Sequence, residues 1–525
     1  MTYGEMDIDG VYSHIGEFGP RQKKIFFFLQ LTLQPFLSFH VLHMIFIGAA
    51  TNFTCFDKGG RELPEKDQCS DKCRASNEGT IYLYSSKFTS IMSEWNLVCD
   101  NSYKVGLVQS VFMSGALISA FVFGILADKY GRLKMFYYTL IGMTIFSTMS
   151  AFAPSYTTYV ALRFFTGFHC GGCNLVSFVL MTEIIGKSSR GLCGFLMPIF
   201  FAWGILIYVL LAYYIRAWRH LAFVTSAVGF LGMFYYWLLP ESPRWLIAQN
   251  RIEEAEVILR DIARRNGSSY PLDQIKLAAP KKGNGQQKKY SMNDIWHYPY
   301  IRNLTLVQIF SWFVNSAVYY GLTMSAGNLG SNMYISVGLS GLVEVPSYLF
   351  CIGLLNRVGR KLIICMSMLV GGVSCMLVML IPQAYSTFAT ACALIGKLAI
   401  AASFAIIYVH SAEIFPTVIR NMALGISSCG ARFGGIVAPM IASLSTVSSA
   451  LPFLVFGCMA FSAGVLNFYL PETKGQPMPE TIDDVLMMGP KKRRQEQQLS
   501  SSKKHVVKLL DSPANGEKLS QVLSL

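Results

Sequence analysis

Four ionisable residues lie inside long apolar runs of this 525-residue chain, where a charge is expensive and by default functional: Arg163, Glu344, Lys397 and Arg432. Glu344, Lys397 and Arg432 each fall about eleven residues into their runs, which at about 1.5 Å per residue puts all three near the middle of a bilayer. Arg163 sits nearer one edge. The three central charges sum to +1. A buried pair between Glu344 and one of the two cations would neutralise two of them, as a substrate contact or as a purely structural pair. One cation is then left over, and a bound anion is its simplest partner. Arg432 is the expected free cation, because a planar guanidinium fork matches a carboxylate bidentately whereas an ammonium acts as a point charge.

A cationic end on the same ligand needs another counterpart, since no Asp or Glu falls in the interior of the apolar runs of the first half. Trp203, Tyr208, Trp312, Tyr319 and Tyr320 are the aromatic choice, with cation-π attraction of roughly 0.5 to 2 kcal/mol per ring. The blander reading of each is packing or lipid contact. His40, His43, His169 and His410 read as hydrogen-bonded packing. No nucleophile-base arrangement, metal-spaced His/Cys cluster or phosphate-cradling glycine loop appears, so neither an enzyme, a metal site nor a cofactor is expected. Channel-type charge rings and filter repeats are missing as well. Glu344 could serve Na+ or H+ as a coupling ion.

The elements that position these residues are membrane helices. Hydrophobic residues make up 53% of the chain and charged residues 14%, against about a quarter charged in soluble domains. Mean hydropathy is +0.41. Twelve spans of sufficient length are predicted, roughly 25–49, 105–127, 135–153, 158–181, 191–214, 220–239, 304–326, 333–355, 362–381, 386–409, 421–444 and 451–470. The first reads as a span and not a cleaved leader. One set of charged motifs occurs twice: Glu183 and Arg190 recur as Glu413 and Arg420, Gly131-Arg132 as Gly359-Arg360, and Pro240-Glu241 as Pro471-Glu472. The offsets of 230, 228 and 231 residues mark a duplicated membrane domain, an architecture that usually carries solutes. The expected fold is therefore an all-α polytopic membrane protein, twelve transmembrane helices arranged as two pseudo-symmetric six-helix bundles.

Lys and Arg decide the expected orientation. Eleven lie between Glu241 and Asn303 and nine follow Leu470, on the same side as the basic turns holding Lys129, Arg132, Lys134, Arg357, Arg360 and Lys361. Basic short loops stay cytoplasmic, so both termini and the central connection are expected inside and the 51–103 loop outside. The net charge of +14 then reflects topology and anionic lipid, not nucleic acid. The expected organisation is an N-terminal segment 1–24, a first bundle 25–239, a cytoplasmic linker 240–303, a second bundle 304–470 and a tail 471–525. The outer loop carries Cys55, Cys69, Cys73 and Cys99, an even set that predicts two disulfides in any of three pairings. Asn52 opens a glycosylation sequon close to the first span. In the linker, Ser242 and Pro243 start an amphipathic helix through Trp245, Ile252, Ala255, Leu259 and Ile262. Residues 279–290 read as flexible linker, and the tail from Gly489 as disordered, with basic Lys491 to Arg494 near the membrane.

These motifs carry a resemblance. Gly124, Asp128, Gly131 and Arg132 look like the signature of the major facilitator superfamily. Ser93 to Cys99, Pro240 to Trp245, Ala412-Glu413 through Arg420-Asn421, and Pro471 to Thr473 resemble the organic cation, anion and zwitterion transporters, solute carrier family 22. The match runs from Gly16 to about Asp484, and Tyr319 to Gly330 with Gly396-Lys397 resembles the zwitterion and carnitine type members. Two features depart from the family: the outer loop is short, and Asn356 stands where the first motif copy has Asp128. The resemblance implies a plasma-membrane secondary transporter of small organic zwitterions such as carnitine-like betaines or ergothioneine. A polyspecific organic cation or anion carrier, or a non-transporting receptor or scaffold, are the alternatives. It also implies that the fifth and seventh spans line the cavity, and that the position of Arg432 is acidic in cation carriers and basic in anion and carnitine carriers. Asp128, Arg132, Glu183 and Arg190, with Arg360, Glu413 and Arg420, are expected to gate one face, pairing when it is shut and separating when it opens. The alternative role is stabilisation of helix ends.

Overall fold

The structure, a computed structural model, describes residues 7–56, 81–84, 87–268, 277, 292–326, 332–355, 357–416, 418–446, 448, 450–476 and 478–487. Cys69, Cys73, Asn356, the 279–290 linker, the Gly327 to Gly330 stretch and the tail beyond 487 lie outside the described residues.

Twelve helical segments occupy the twelve predicted spans: α1 Pro20–Val41, α2 Tyr103–Tyr130, α3 Arg132–Ala151, α4 Tyr156–Ile184, α5 Arg190–Tyr214, α6 Trp218–Leu231, α7 Pro299–Ser325, α8 Met333–Leu342 with Glu344–Leu355, α9 Arg360–Leu380, α10 Ser386–Ile414, α11 Arg420–Ala442 and α12 Leu451–Leu466. Among the described residues, nine segments are long and apolar enough to cross a membrane by length and composition; α3, α6 and α7 are not among them. Two helices are interrupted at useful places. α1 breaks at Leu42-His43 before a short turn Met44–Ile47, and α8 breaks at Val343, so Glu344 opens its second segment.

Small residues let the helices approach closely, as expected where lipid removes the hydrophobic drive for association. A Cβ on Gly167 would lie 2.0 Å from the Phe112 carbonyl oxygen of α2, and one on Gly434 would lie 2.2 Å from the Phe313 oxygen of α7. The α7–α11 approach has its first-half counterpart in α1–α5, where a Cβ on Gly204 would lie 2.5 Å from Pro35 Cα. The duplicated motifs also meet in space. Gly131 and Gly359 both have φ +106, and an added Cβ would strike Glu241 at 2.5 Å and Glu472 at 2.6 Å, respectively. That closeness is used: Glu241 accepts from the backbone N–H of Arg132 at 3.0 Å and of Leu133 at 3.0 Å, capping the start of α3. Glu472 caps α9 in the same way, accepting from Arg360 N at 3.0 Å and Lys361 N at 3.2 Å. Each Pro-Glu copy therefore ties the end of its bundle to its own Gly-Arg turn.

The predicted amphipathic helix is two helices. Ser242 caps Pro243–Ala248 by accepting from Trp245 N at 3.2 Å, and a positive φ of 61° at Asn250 breaks the chain before Ile252–Asn266. They bury Trp245, Leu259 and Ile262 against Val11, Tyr12 and Ile15 of a further helix, Ile8–Ile15, within the stretch read only as an N-terminal segment. On the opposite face, Phe53–Phe56 and Ile81–Tyr84 form an antiparallel ribbon, a small β element in an otherwise helical chain.

Candidate functional site

The two ends of the molecule are called here the basic face, which carries the α2–α3 and α8–α9 turns, and the loop face, which carries the ribbon. At the loop face the halves touch. A Cβ on Gly106 of α2 would lie 3.2 Å from Pro439 O of α11, one on Gly341 of α8 would lie 2.9 Å from Ile205 of α5, and Ser110 donates to Ile436 O at 2.7 Å. Toward the basic face of the same four helices there is open space beside the glycines: a Cβ on Gly124, Gly191, Gly194, Gly353 or Gly425 would meet nothing within 4 Å. The halves are thus in direct contact toward the loop face.

Arg432 stands on α11 between these ends. It is half-buried, it forms no ion pair with a described residue, and its buried Nε has no hydrogen-bond partner. The stretch of α11 around it packs against α7 and α10: a Cβ on Gly435 would lie 3.6 Å from the Tyr320 ring, and Ala431 packs with Trp312 and with Ile407, the neighbour of Tyr408. Tyr320 is half-buried at the junction of the three main apolar cores, and Tyr408 is 48% exposed. From there an aromatic row runs along α7 and α10: Tyr408 lies 4.4 Å from Trp312 and 5.9 Å from Phe404, Phe404 lies 5.6 Å from Tyr319, and Tyr319 lies 5.3 Å from Tyr320. Trp312 is held by a 3.0 Å hydrogen bond from its Nε1 to Ser411 Oγ. The geometry offers a fork for a carboxylate beside π-faces for an onium group.

Glu344 and Lys397 occupy a sealed chamber behind this row. Their ion pair is 3.0 Å long, with side chains 0% and 2% exposed. Tyr319 Oη donates to both carboxylate oxygens of Glu344, at 2.8 and 2.9 Å, and Tyr348 Oη donates at 3.1 Å. Lys397 Nζ lies 3.2 Å from the centre of the Tyr319 ring and also donates to Thr323 Oγ1. Every charge there is answered by the protein, so Glu344 and Lys397 are not free to hold a ligand in this state. The expected pairing is the one observed, and it leaves Arg432 as the cation of that midplane trio without a carboxylate. Arg163 is the second such cation, since it too forms no ion pair with a described residue.

Two expected aromatic contacts are corrected. Trp203 is 53% exposed on an apolar stripe of α5 with Ile207, Leu210 and Tyr214, which continues to the closed loop end and therefore faces lipid. Tyr208 is buried between Phe39 and Phe46, at 5.6 and 5.1 Å, and its hydroxyl donates to His43 O at 3.1 Å; it packs the first-half core. Phe404 and Tyr408 take their places. Their signal was available in the sequence, as aromatics four residues apart on the helix that also carries Lys397.

The expected gate is also corrected. Arg132 pairs with Glu183 at 3.0 Å and Asp128 at 2.8 Å, and Arg360 pairs with Glu413 at 3.0 Å. All are contacts within one half. They fasten helices α2, α3 and α4, and α9 and α10, each within its own half. Arg190 and Arg420 turn instead to backbone: each Nε donates at 3.2 Å, to Ile185 O and Phe415 O. Arg190 additionally reaches Asp9 at 3.4 Å on the N-terminal helix, and Arg420 reaches Pro479 O at 3.5 Å. Asp128, 76% exposed, is the acidic member with a free edge. Burial pushes the Glu472 carboxyl up, but the backbone N–H groups of Lys474, Arg360 and Thr473 outweigh it and hold the group below the usual carboxylate range. At the loop face Cys55 and Cys99 are each disulfide-bonded and Asn52 is exposed.

Two like bundles meeting around a half-open central charge define a membrane transporter of the major facilitator type. Residues 44–484 match the family described as Sugar (and other) transporter, and the chain belongs to it. A Drosophila melanogaster protein named Organic cation transporter protein is 37% identical, over 93% of this chain and 96% of that protein. A Xenopus laevis protein named Solute carrier family 22 member 15-like is 38% identical, over 91% and 96%. The human Organic cation/carnitine transporter 2 is 32% identical, over 91% and 94%. Of solved structures, the inward open conformation of the xylose transporter XylE from E. coli is similar with a TM-score of 0.61 and 17% identity, over 86% of this chain and 98% of that one. The chain is thus a multi-pass membrane secondary transporter of the solute carrier 22 type, and not an enzyme.

Proposed function

We propose that the protein moves small organic zwitterions of the carnitine, betaine or ergothioneine kind across the plasma membrane by alternating access, with both termini cytoplasmic. One observation carries the reading: Arg432, half-buried, has no carboxylate partner among the described residues, on a stretch of α11 that packs against the Tyr320 ring and against Ile407 beside Tyr408. The substrate carboxylate binds the Arg432 fork, and its ammonium end lies against the Tyr320 and Tyr408 rings, with the fully buried Trp312 packed behind Tyr408. Relatives named as organic cation transporters raise the alternative of a simple monocation, but the oxygens of Glu344 already accept from Tyr319, Tyr348 and Lys397. An organic anion is the second reading, favoured by the same unpartnered Arg432. A coupling ion, Na+ or H+, would act by competing with Lys397 for Glu344. On this orientation the basic face is the cytoplasmic one and the state seen is inward-facing. Asp128 is then the gate residue whose free edge reaches the opposite half when that side shuts, and Asn52 is the glycan acceptor.

Uptake of a betaine, a permanent monocation and a dicarboxylate, each with and without sodium, is the deciding experiment. Preferred uptake of the betaine supports the proposal. Preferred uptake of the monocation refutes it.

A further inference from the structure

Near the loop face of the first half, the break in α1 frees backbone carbonyls that membrane helices normally satisfy internally. Three side chains reach carbonyls around the break: Arg163 Nη2 donates to His40 O at 2.9 Å, Gln109 Nε2 to Val41 O at 2.7 Å, and Tyr208 Oη at 3.1 Å to His43 O, which also accepts from Ile47 N–H at 3.2 Å. This uses one N–H of Arg163. Its Nε and Nη1 are buried without partners, as are both ring nitrogens of His40 and Nδ1 of His43, while His43 Nε2 meets the Tyr159 hydroxyl at 3.1 Å. Arg163 and His40 are both 0% exposed, His43 is 1% exposed, and the guanidinium lies 4.4 Å from the centre of the Phe112 ring. An Arg buried without a carboxylate partner among the described residues is costly, far more so than the hydrogen bond it donates returns. Sealing the break explains why a donor is there, but not why it is a charged one with two idle N–H groups facing idle imidazoles.

We infer that this cluster is a binding site for one small inorganic anion of the chloride type, held by Arg163 Nε and Nη1 with an imidazole N–H of His40 or His43. A neutral imidazole carries one N–H, so the histidines donate without adding charge. One monovalent anion balances the single guanidinium. The closed surroundings suit a monatomic ion and exclude the larger substrate carboxylate, which meets the half-open Arg432 instead. The ion would rivet the α1 break to α4 on the loop side of the first half. This site does not depend on the substrate reading, because it shares no residue with it.

The test uses the purified full-length protein in lipid nanodiscs, with sodium chloride exchanged for sodium gluconate at constant ionic strength. The thermal unfolding midpoint should rise by a few degrees and saturate with chloride. Arg163→Gln should abolish the rise, Arg163→Lys should weaken half-saturation about tenfold through loss of the fork, and Arg432→Gln should leave it intact. Bromide substituted for chloride in crystals of the unaltered protein should give an anomalous peak beside Arg163 Nε, which decides the matter if Arg163→Gln does not fold. A midpoint indifferent to chloride, a rise that survives Arg163→Gln, or a bromide peak only at Arg432 overturns the inference.

Discussion

Arg432→Lys keeps the central charge and removes the fork. Because the Arg432 Nε has no protein partner, the substitution breaks no existing hydrogen bond there and leaves no protein carboxylate stranded. The whole effect therefore falls on the ligand. Losing one charge-assisted hydrogen bond to a carboxylate should weaken betaine binding by roughly 1.5 to 3 kcal/mol. That is about 10- to 150-fold in the concentration giving half-maximal uptake. Arg432→Asp should abolish betaine uptake and favour a monocation, since the sum of Glu344, Lys397 and residue 432 changes from +1 to −1. The assay is concentration-dependent uptake in cells, normalised to surface-labelled protein. Equal half-saturation for the native chain and both variants, at matched surface levels, would show that Arg432 does not hold the carboxylate.

Glu344→Gln should strand Lys397 in its sealed chamber and lower stability by about 3 to 5 kcal/mol, while Glu344→Gln with Lys397→Met should recover most of it; thermal unfolding in detergent reads both, and an unaltered midpoint in the single variant would refute the pairing argument. Asp128→Asn should reach the surface normally and turn over more slowly, whereas Glu413→Gln, which releases the buried face of Arg360, should mainly reduce folded protein; equal surface loss in both would remove Asp128 from the gate. Tyr408→Ala should weaken betaine binding by about 0.5 to 2 kcal/mol and Trp203→Ala should not change it, with the reverse order arguing for the α5 face as the site. Glu472 has a depressed folded pKa, so its stabilisation of the α9 turn is present above the ordinary carboxylate range and is lost as pH falls through the folded value. Acid unfolding profiles of the native chain and Glu472→Gln should accordingly converge at low pH, and a difference that grows on acidification would contradict the cap.

The helices were legible because two independent signals coincide. Apolar length sets each span, and the repeat of Gly-Arg, Glu-Arg and Pro-Glu motifs fixes where the second bundle begins. Boundaries shifted by a few residues for a physical reason: α2 and α4 run past the apolar segment into the charged turns, where Asp128 and Glu183 still belong to the helix. What periodicity could not give is the Ile8–Ile15 helix. Its eight residues are too few to stand alone, and it is held by burial of Val11, Tyr12 and Ile15 against a distant part of the chain.

The site was half legible, and the part that failed shows why. Charges in lipid announce themselves, so Glu344, Lys397 and Arg432 could be named and their pairing weighed on cost alone. An aromatic ring is at home in lipid, in a core and in a cavity alike, and nothing in its own identity tells these apart. Trp203 and Tyr408 are both about half exposed, at 53% and 48%; only their neighbours separate them. Trp203 continues an apolar stripe that ends at the closed loop face, while Tyr408 stands within reach of an arginine that has no partner of its own. The same logic corrected the gate, since opposite charges in sequence say that a pair exists and not which two bodies it joins. Arg132 with Glu183 and Arg360 with Glu413 each join helices of one half, so these bonds fasten each half as a unit.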